Sequence, residues 1–197
     1  MTPYHHGDLR AELLRHALRR LEETGAAGLS LRELARAAGV SHAAPRQHFR
    51  DKQALLDALA VSGLERLGGE LDAAISGASF EERLTQFAQA YVGFAVENPA
   101  LLALMFARKD ELRAANEAAF AAPRAMVDHA VADGEIAGGD EVEMAILATI
   151  HGLAAIIGTG MIGERSPDAV VAGTVEVLAR GLRATPAPAR SAAAGAS

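Results

Sequence analysis

Cysteine and tryptophan are absent from these 197 residues, and aromatic side chains make up only 4%. Without cysteine there is no disulfide, no thiolate zinc site and no cysteine nucleophile. That absence suits a reducing compartment, and the N-terminal residues lack the basic stretch and apolar run of a secretory signal, so a cytoplasmic location is expected. Aromatic and β-branched runs are too few to build a β-sandwich or barrel. Alanine fills the gap with 45 residues, and alanine is the strongest helix former. The expected fold class is all-α, with length enough for one large domain or two small ones.

Negative charge dominates the total, at −6, but not evenly. Residues 1–52 hold nine Lys or Arg against six Asp or Glu, a balance of +3, while residues 53–197 hold ten against nineteen, a balance of −9. Five of the seven histidines also lie in the first segment. A basic N-terminal unit joined to an acidic body leaves a polyanionic partner open, which the whole-chain charge would have excluded.

Apolar residues set the helices by recurring at three- and four-residue spacing. Leu9, Leu13, Leu14, Ala17, Leu18 and Leu21 form the first stripe, ended by Gly25 and Gly28. Ser30 opens a second helix, with Glu33 placed to complete a capping box, and Gly39 supplies a left-handed stop. Ser41 is read as the N-cap of a short third helix reaching about His48. Asp51 caps a fourth helix carrying Leu55 to Leu71, and Phe80 to Phe94 mark a fifth that ends before Pro99. Leu101 to Phe106 form a sixth. A seventh is expected over about Leu112 to Asp133, kinked or split by Pro123, followed by helices over about Asp140 to Ile162 and Pro167 to Ala184. Residues 185–197, rich in Ala and Pro, read as a disordered tail.

Two short helices around a glycine turn, Ser30–Ala38 and Ser41–His48, have the form of a helix-turn-helix, whose second helix fits the DNA major groove. The run LSLRELARAAGVSHAAPRQHFRDKQALL, from Leu29 to Leu56, resembles the TetR/AcrR family of transcriptional regulators. Gly39-Val40-Ser41, His48-Phe49 and Lys52 followed by Leu55-Leu56 carry the likeness. The opening Tyr4-His5-His6-Gly7-Asp8-Leu9-Arg10 is similar to the start of one subgroup that carries a Trp and a His-Gly pair in its regulatory domain. His151-Gly152 corresponds to that pair, and the Trp has no counterpart.

The resemblance implies a helix-turn-helix domain over residues 1–52 and a helical effector-binding and dimerisation domain over 53–184. It also implies partners: double-stranded operator DNA, a small-molecule effector and a second copy of the chain, with repression relieved by the effector and no cofactor. Carried over by position, Ser41, His42, Ala43, Ala44, Arg46, Gln47 and His48 form the recognition helix. Ser30 and Lys52 then reach phosphates, while Val40 and Phe49 pack the core. Arg46 suits either a phosphate or a guanine edge. The same resemblance places the dimer interface on the last two helices, at Ala154, Ala155, Gly158, Val171, Val175 and Leu178.

An apolar effector pocket is expected among the central helices, from Phe87, Tyr91, Phe94, Met105, Phe106, Phe120, Met126, Met144, His129 and His151. Each of these serves equally as core. Met144–Gly163 runs twenty residues without a formal charge, but four glycines, His151 and the lack of an aromatic belt argue against a membrane span. It reads instead as a helix buried on nearly all sides. Gly158 to Gly163 matches G-x-G-x-x-G, yet no strand precedes it as dinucleotide binding requires. No catalytic motif is present, and no metal is expected: His5, His6 and Asp8 fit a terminal arm better than a ligand set. The rival to DNA binding is a helical adaptor that binds protein alone.

Overall fold

The structure, a computed structural model, describes residues 6–108 and 111–183. Among them are nine α-helices and no strand: α1 (His6–Thr24), α2 (Leu31–Ala37), α3 (Lys52–Ala74), α4 (Phe80–Glu97), α5 (Pro99–Ala107), α6 (Arg113–Ala119), α7 (Ala121–Ala132), α8 (Asp140–Gly158) and α9 (Pro167–Leu182). The expected tail at 185–197 and the residues Tyr4 and His5 lie outside the described residues.

The N-terminal unit closes around leucines already visible as stripes. Leu13, Ala17 and Leu21 of α1 share one buried cluster with Leu34 of α2, Phe49, and Leu55 of α3. Gly39 ends α2 at φ 66°, and the next amide, Val40 N–H, reaches back to the Ala35 carbonyl at 3.0 Å. Only glycine takes that conformation without strain, so the turn between α2 and the next segment depends on it. Asp51 caps α3 as its position predicts, accepting from the Ala54 amide at 2.8 Å.

Two local readings need correction. Ser30 stands at the N-cap of α2 but makes no capping hydrogen bond; its side chain lines a groove between α1 and α2 beside His16, Arg19 and Arg20. The capping box that does form lies at Ser79 and Glu82, ahead of α4. The second correction is at 112–133, where the helix breaks at Phe120 and not at Pro123. Pro123 falls in the first turn of α7, where no amide is needed, so the ring is accommodated without a kink.

The body is layered on α4, whose buried Phe87, Tyr91 and Phe94 face α8, α9, α3 and α7. Helix α3 runs from the N-terminal unit into this body, burying Leu59, Leu64, Leu67 and Leu71. The chain turns by 103° from α4 into α5 at Asn98-Pro99. Helix α8 is the one described helix long and apolar enough to cross a membrane. It is not buried on nearly all sides, as expected above: Ile146, Ile150, Leu153 and Ala154 face inward, while Met144, Leu147, His151, Ala155 and Ile156 are exposed. It ends at Gly158, and Gly160 and Gly163 follow with positive φ in turns, so the G-x-G-x-x-G spacing is helix-stop chemistry.

Candidate functional site

The segment expected as a recognition helix is shorter and tighter than predicted. Ala44–Gln47 forms a 3-10 turn with Ala43 in the capping position, and Ser41 contributes its backbone carbonyl, accepting from the Ala44 amide at 3.0 Å. Pro45 supplies the reason. It has no N–H to donate, and it biases Ala44 away from the helical region, so bonds such as Arg46 N–H to the Ala43 carbonyl close three-residue turns.

The tight turn still presents a face. Ser41, His42, Ala43, Arg46 and Gln47 are exposed, whereas Pro45 and Phe49 are buried beneath them. Ala44 and His48 are half-buried, and His48 turns its Nε2 inward without a hydrogen-bond partner among the described residues. Arg32, Arg36 and Arg50 are exposed around the same unit, which concentrates positive charge there. Lys52 lies at the start of α3 and donates from Nζ to the Ala27 carbonyl at 2.8 Å. An ammonium has three donors, so two remain for a phosphate.

The second site is a cavity of about 400 Å³ in the body, between α4, α5, α6, α7 and α8. Phe87, Phe106, Phe120, Met126 and Met144 of the predicted pocket do line it. The other five predicted positions do not. Tyr91 and Phe94 are packed in the core, Met105 lies against Gly63 of α3, and His129 is exposed on α7. His151 sits on the outer face of α8, where its Nδ1 meets the Tyr91 hydroxyl at 2.9 Å and Phe106 packs edge-on at 5.0 Å. Burial raises the Tyr91 pKa, so the hydroxyl remains protonated in this pair.

Sequence reasoning missed the polar lining. Asn116, Arg124, Asp140 and Glu143 contribute it, and Pro123, Val127, Ile146 and Leu147 complete the apolar wall. Only the acids carry a sequence signal, as the first turn of a helix whose N-terminal dipole favours them. Among the described residues no group of three or more His, Asp or Glu is placed to hold a metal ion. The side chains of His5, His6 and Asp8 lie outside the description.

The predicted interface residues divide. Ala154, Val171 and Val175 are buried inside the subunit, where they pack α8 and α9 against α4, and so are not free to meet a second copy. Ala155 and Gly158 are exposed and Leu178 is half-buried.

Residues 84–185 match the sequence profile described as a tetracycline repressor-like C-terminal domain, and residues 13–59 match that of bacterial regulatory proteins of the tetR family. The chain belongs to the TetR family. It is a DNA-binding transcriptional regulator built from an N-terminal helix-turn-helix unit and a helical C-terminal domain. Among solved structures, it is similar to a protein of unknown function from Rhodococcus sp. RHA1, with 43% identity and a TM-score of 0.84. That match covers 92% of this chain and 99% of that one. A TetR-family transcription regulator from Marinobacter aquaeolei VT8 shares the fold at 19% identity and a TM-score of 0.75, covering 91% and 97% of the two chains. The TetR-family regulator PfmR from Thermus thermophilus does so at 21% and 0.61, covering 87% and 98%. No curated protein sequence matches the chain.

Proposed function

We propose that this TetR-family regulator is a cytoplasmic homodimeric repressor that leaves its operator when a small apolar molecule occupies the cavity in its body. The observation that carries the reading is the pairing of two separate surfaces in one chain. One is an exposed turn with Arg46 and Gln47 at the tip of a basic unit; the other is a cavity lined by Phe87, Phe106 and Phe120 and remote in sequence from that turn. The unit extends to about residue 52 and the body to about residue 184, with α3 belonging to both.

Dimerisation is supported by the outer face of α8. Ala155 and Ile156 are exposed there, clear of the cavity that Met144 and Leu147 line, and Val177 of α9 stands out at 68% exposure. Apolar surface of this kind is stabilised by covering it. Two reading turns held about 34–36 Å apart would address one face of the duplex and a near-palindromic operator. An effector then shifts the population toward a spacing that no longer fits, by no more than its differential affinity for the two states.

The test is selection of duplex DNA from a random pool with the purified full chain, followed by competition of a small-molecule library against the recovered duplex. A near-palindromic consensus and compounds that bind the protein and release the duplex are the expected results. Recovery of no duplex at low salt would overturn DNA repression and favour a protein-binding adaptor; compounds that bind while leaving operator affinity unchanged would overturn induction.

A further inference from the structure

Helix α5 lacks a cap of its own. Its first residue, Pro99, has no N–H, and the Leu102 amide already bonds the Asn98 carbonyl at 2.9 Å. That leaves the amides of Ala100 and Leu101 as unsatisfied donors at the N-terminus. Asn98 occupies the capping position, but its side chain donates backwards, from Nδ2 to the Phe94 carbonyl at 2.9 Å. Both donors are satisfied from a distant part of the chain. Glu22, in the last turns of α1, accepts from Ala100 N–H at 3.0 Å through Oε2 and from Leu101 N–H at 2.9 Å through Oε1.

A carboxylate bridging two helix-start amides is a strong, directional contact, because it combines charge-assisted hydrogen bonds with the positive end of the helix dipole. This one joins the DNA-reading unit to the body. The other end of α5 reaches the cavity: Phe106 lines it, and Arg108, directly after the helix, pairs with Asp57 of α3 at 2.6 Å. Between the ends, α5 lies close against α3, where a Cβ on Gly63 would meet Leu101 and Met105 at about 3 Å. The helix is therefore braced on α3 along its length and gripped by α1 at its start.

We propose that Glu22 is a positioning residue for regulation, the contact through which a change at the Phe106 end of α5 is delivered to the reading unit. The proposal rests on the repressor reading above. It predicts that perturbing Phe106 alters the reading unit only while the Glu22 carboxylate holds the start of α5. Glu22 is neither part of the exposed Ser41–Gln47 turn nor among the residues that line the cavity, so a loss of coupling in its variants is not a loss of either surface.

The experiment is a double-mutant cycle on the full chain, with Phe106→Ala and Glu22→Ala alone and together. Two readouts are taken: affinity for the duplex recovered by selection, and hydrogen exchange of α1 and α5 amides without DNA. The expected result is that Phe106→Ala shifts operator affinity about fivefold with Glu22 present and by less than about twofold with Glu22→Ala. In exchange, Phe106→Ala loosens the last turns of α1 only when Glu22 is present. Glu22→Gln, which keeps a single acceptor oxygen, restores part of the coupling and controls for a variant that folds poorly. Equal effects of Phe106→Ala in both backgrounds, or no effect in either, would overturn the proposal. Failure to recover any duplex strikes the repressor reading alone, because the exchange cycle still decides whether Glu22 links the two ends.

Discussion

Arg46 and Lys52 belong to the same basic unit but differ in what holds them. Arg46 is exposed on its turn, while Lys52 is tethered to the Ala27 carbonyl. Lys52→Ala is expected to weaken binding to all duplexes alike and to lower the slope of log affinity against log salt by about one. Anisotropy titrations at several salt concentrations check this. Arg46→Ala is expected to change the consensus recovered by selection, as loss of a base contact does. Tyr91 makes a further prediction. Its pKa is raised by burial above the ordinary phenol value, so its contribution to stability is complete below about pH 10 and declines as pH rises beyond it. Denaturant unfolding should show a smaller alkaline loss in Tyr91→Phe, with about 1 kcal/mol lost near neutrality from the missing hydrogen bond to His151.

Among the helices, those read most faithfully are those whose signal is local. Gly39 and Asp51 act where their chemistry predicts, because a left-handed stop and an N-cap involve only the adjoining turn. Ser30 stands at the N-cap of α2 without a side-chain capping bond and borders a groove that α1 and α2 form together. The capping box at Ser79 and Glu82 provides a clean measurement. Hydrogen bonds from the Ser79 amide, and next from the Ala78 amide, hold the Glu82 carboxyl below its usual range. Its stabilising effect is therefore present above the ordinary carboxylate pKa and is lost as pH falls through the lowered one. Thermal unfolding of Glu82→Gln should accordingly depend less on pH in the acid range. Ser79→Ala should cost about 0.5–2 kcal/mol at neutral pH, as the loss of an N-cap does. The tight turn at Ala44–Gln47 shows how one residue changes an element: Pro45 has no amide to donate to the Ser41 carbonyl, which accepts from Ala44 in a three-residue turn instead.

Across the whole molecule, two sets of apolar residues compete for the description of core. Val171 and Val175 are expected at an interface, yet they are buried inside the subunit on α9, which packs on α4. The face left over is that of Ala155 and Ile156 on α8. Ile156→Glu should therefore shift sedimentation toward monomer and abolish operator binding while leaving helix content unchanged, which circular dichroism and ultracentrifugation together check. An unaltered dimer would remove this face from consideration.

The periodicity of leucines and alanines was enough to read an all-helical fold class, and the charge count a basic N-terminal segment, because helix amphipathicity and charge are properties of neighbouring residues. Residues Leu29 to Leu56 likewise carried the family. Packing decided the rest. Which of ten apolar or histidine positions face a cavity, which side of α8 stays exposed, and that Glu22 caps a helix 78 positions away all depend on how helices cross. Burial and satisfied backbone donors are settled by contacts between residues far apart in the chain, and no local pattern encodes them.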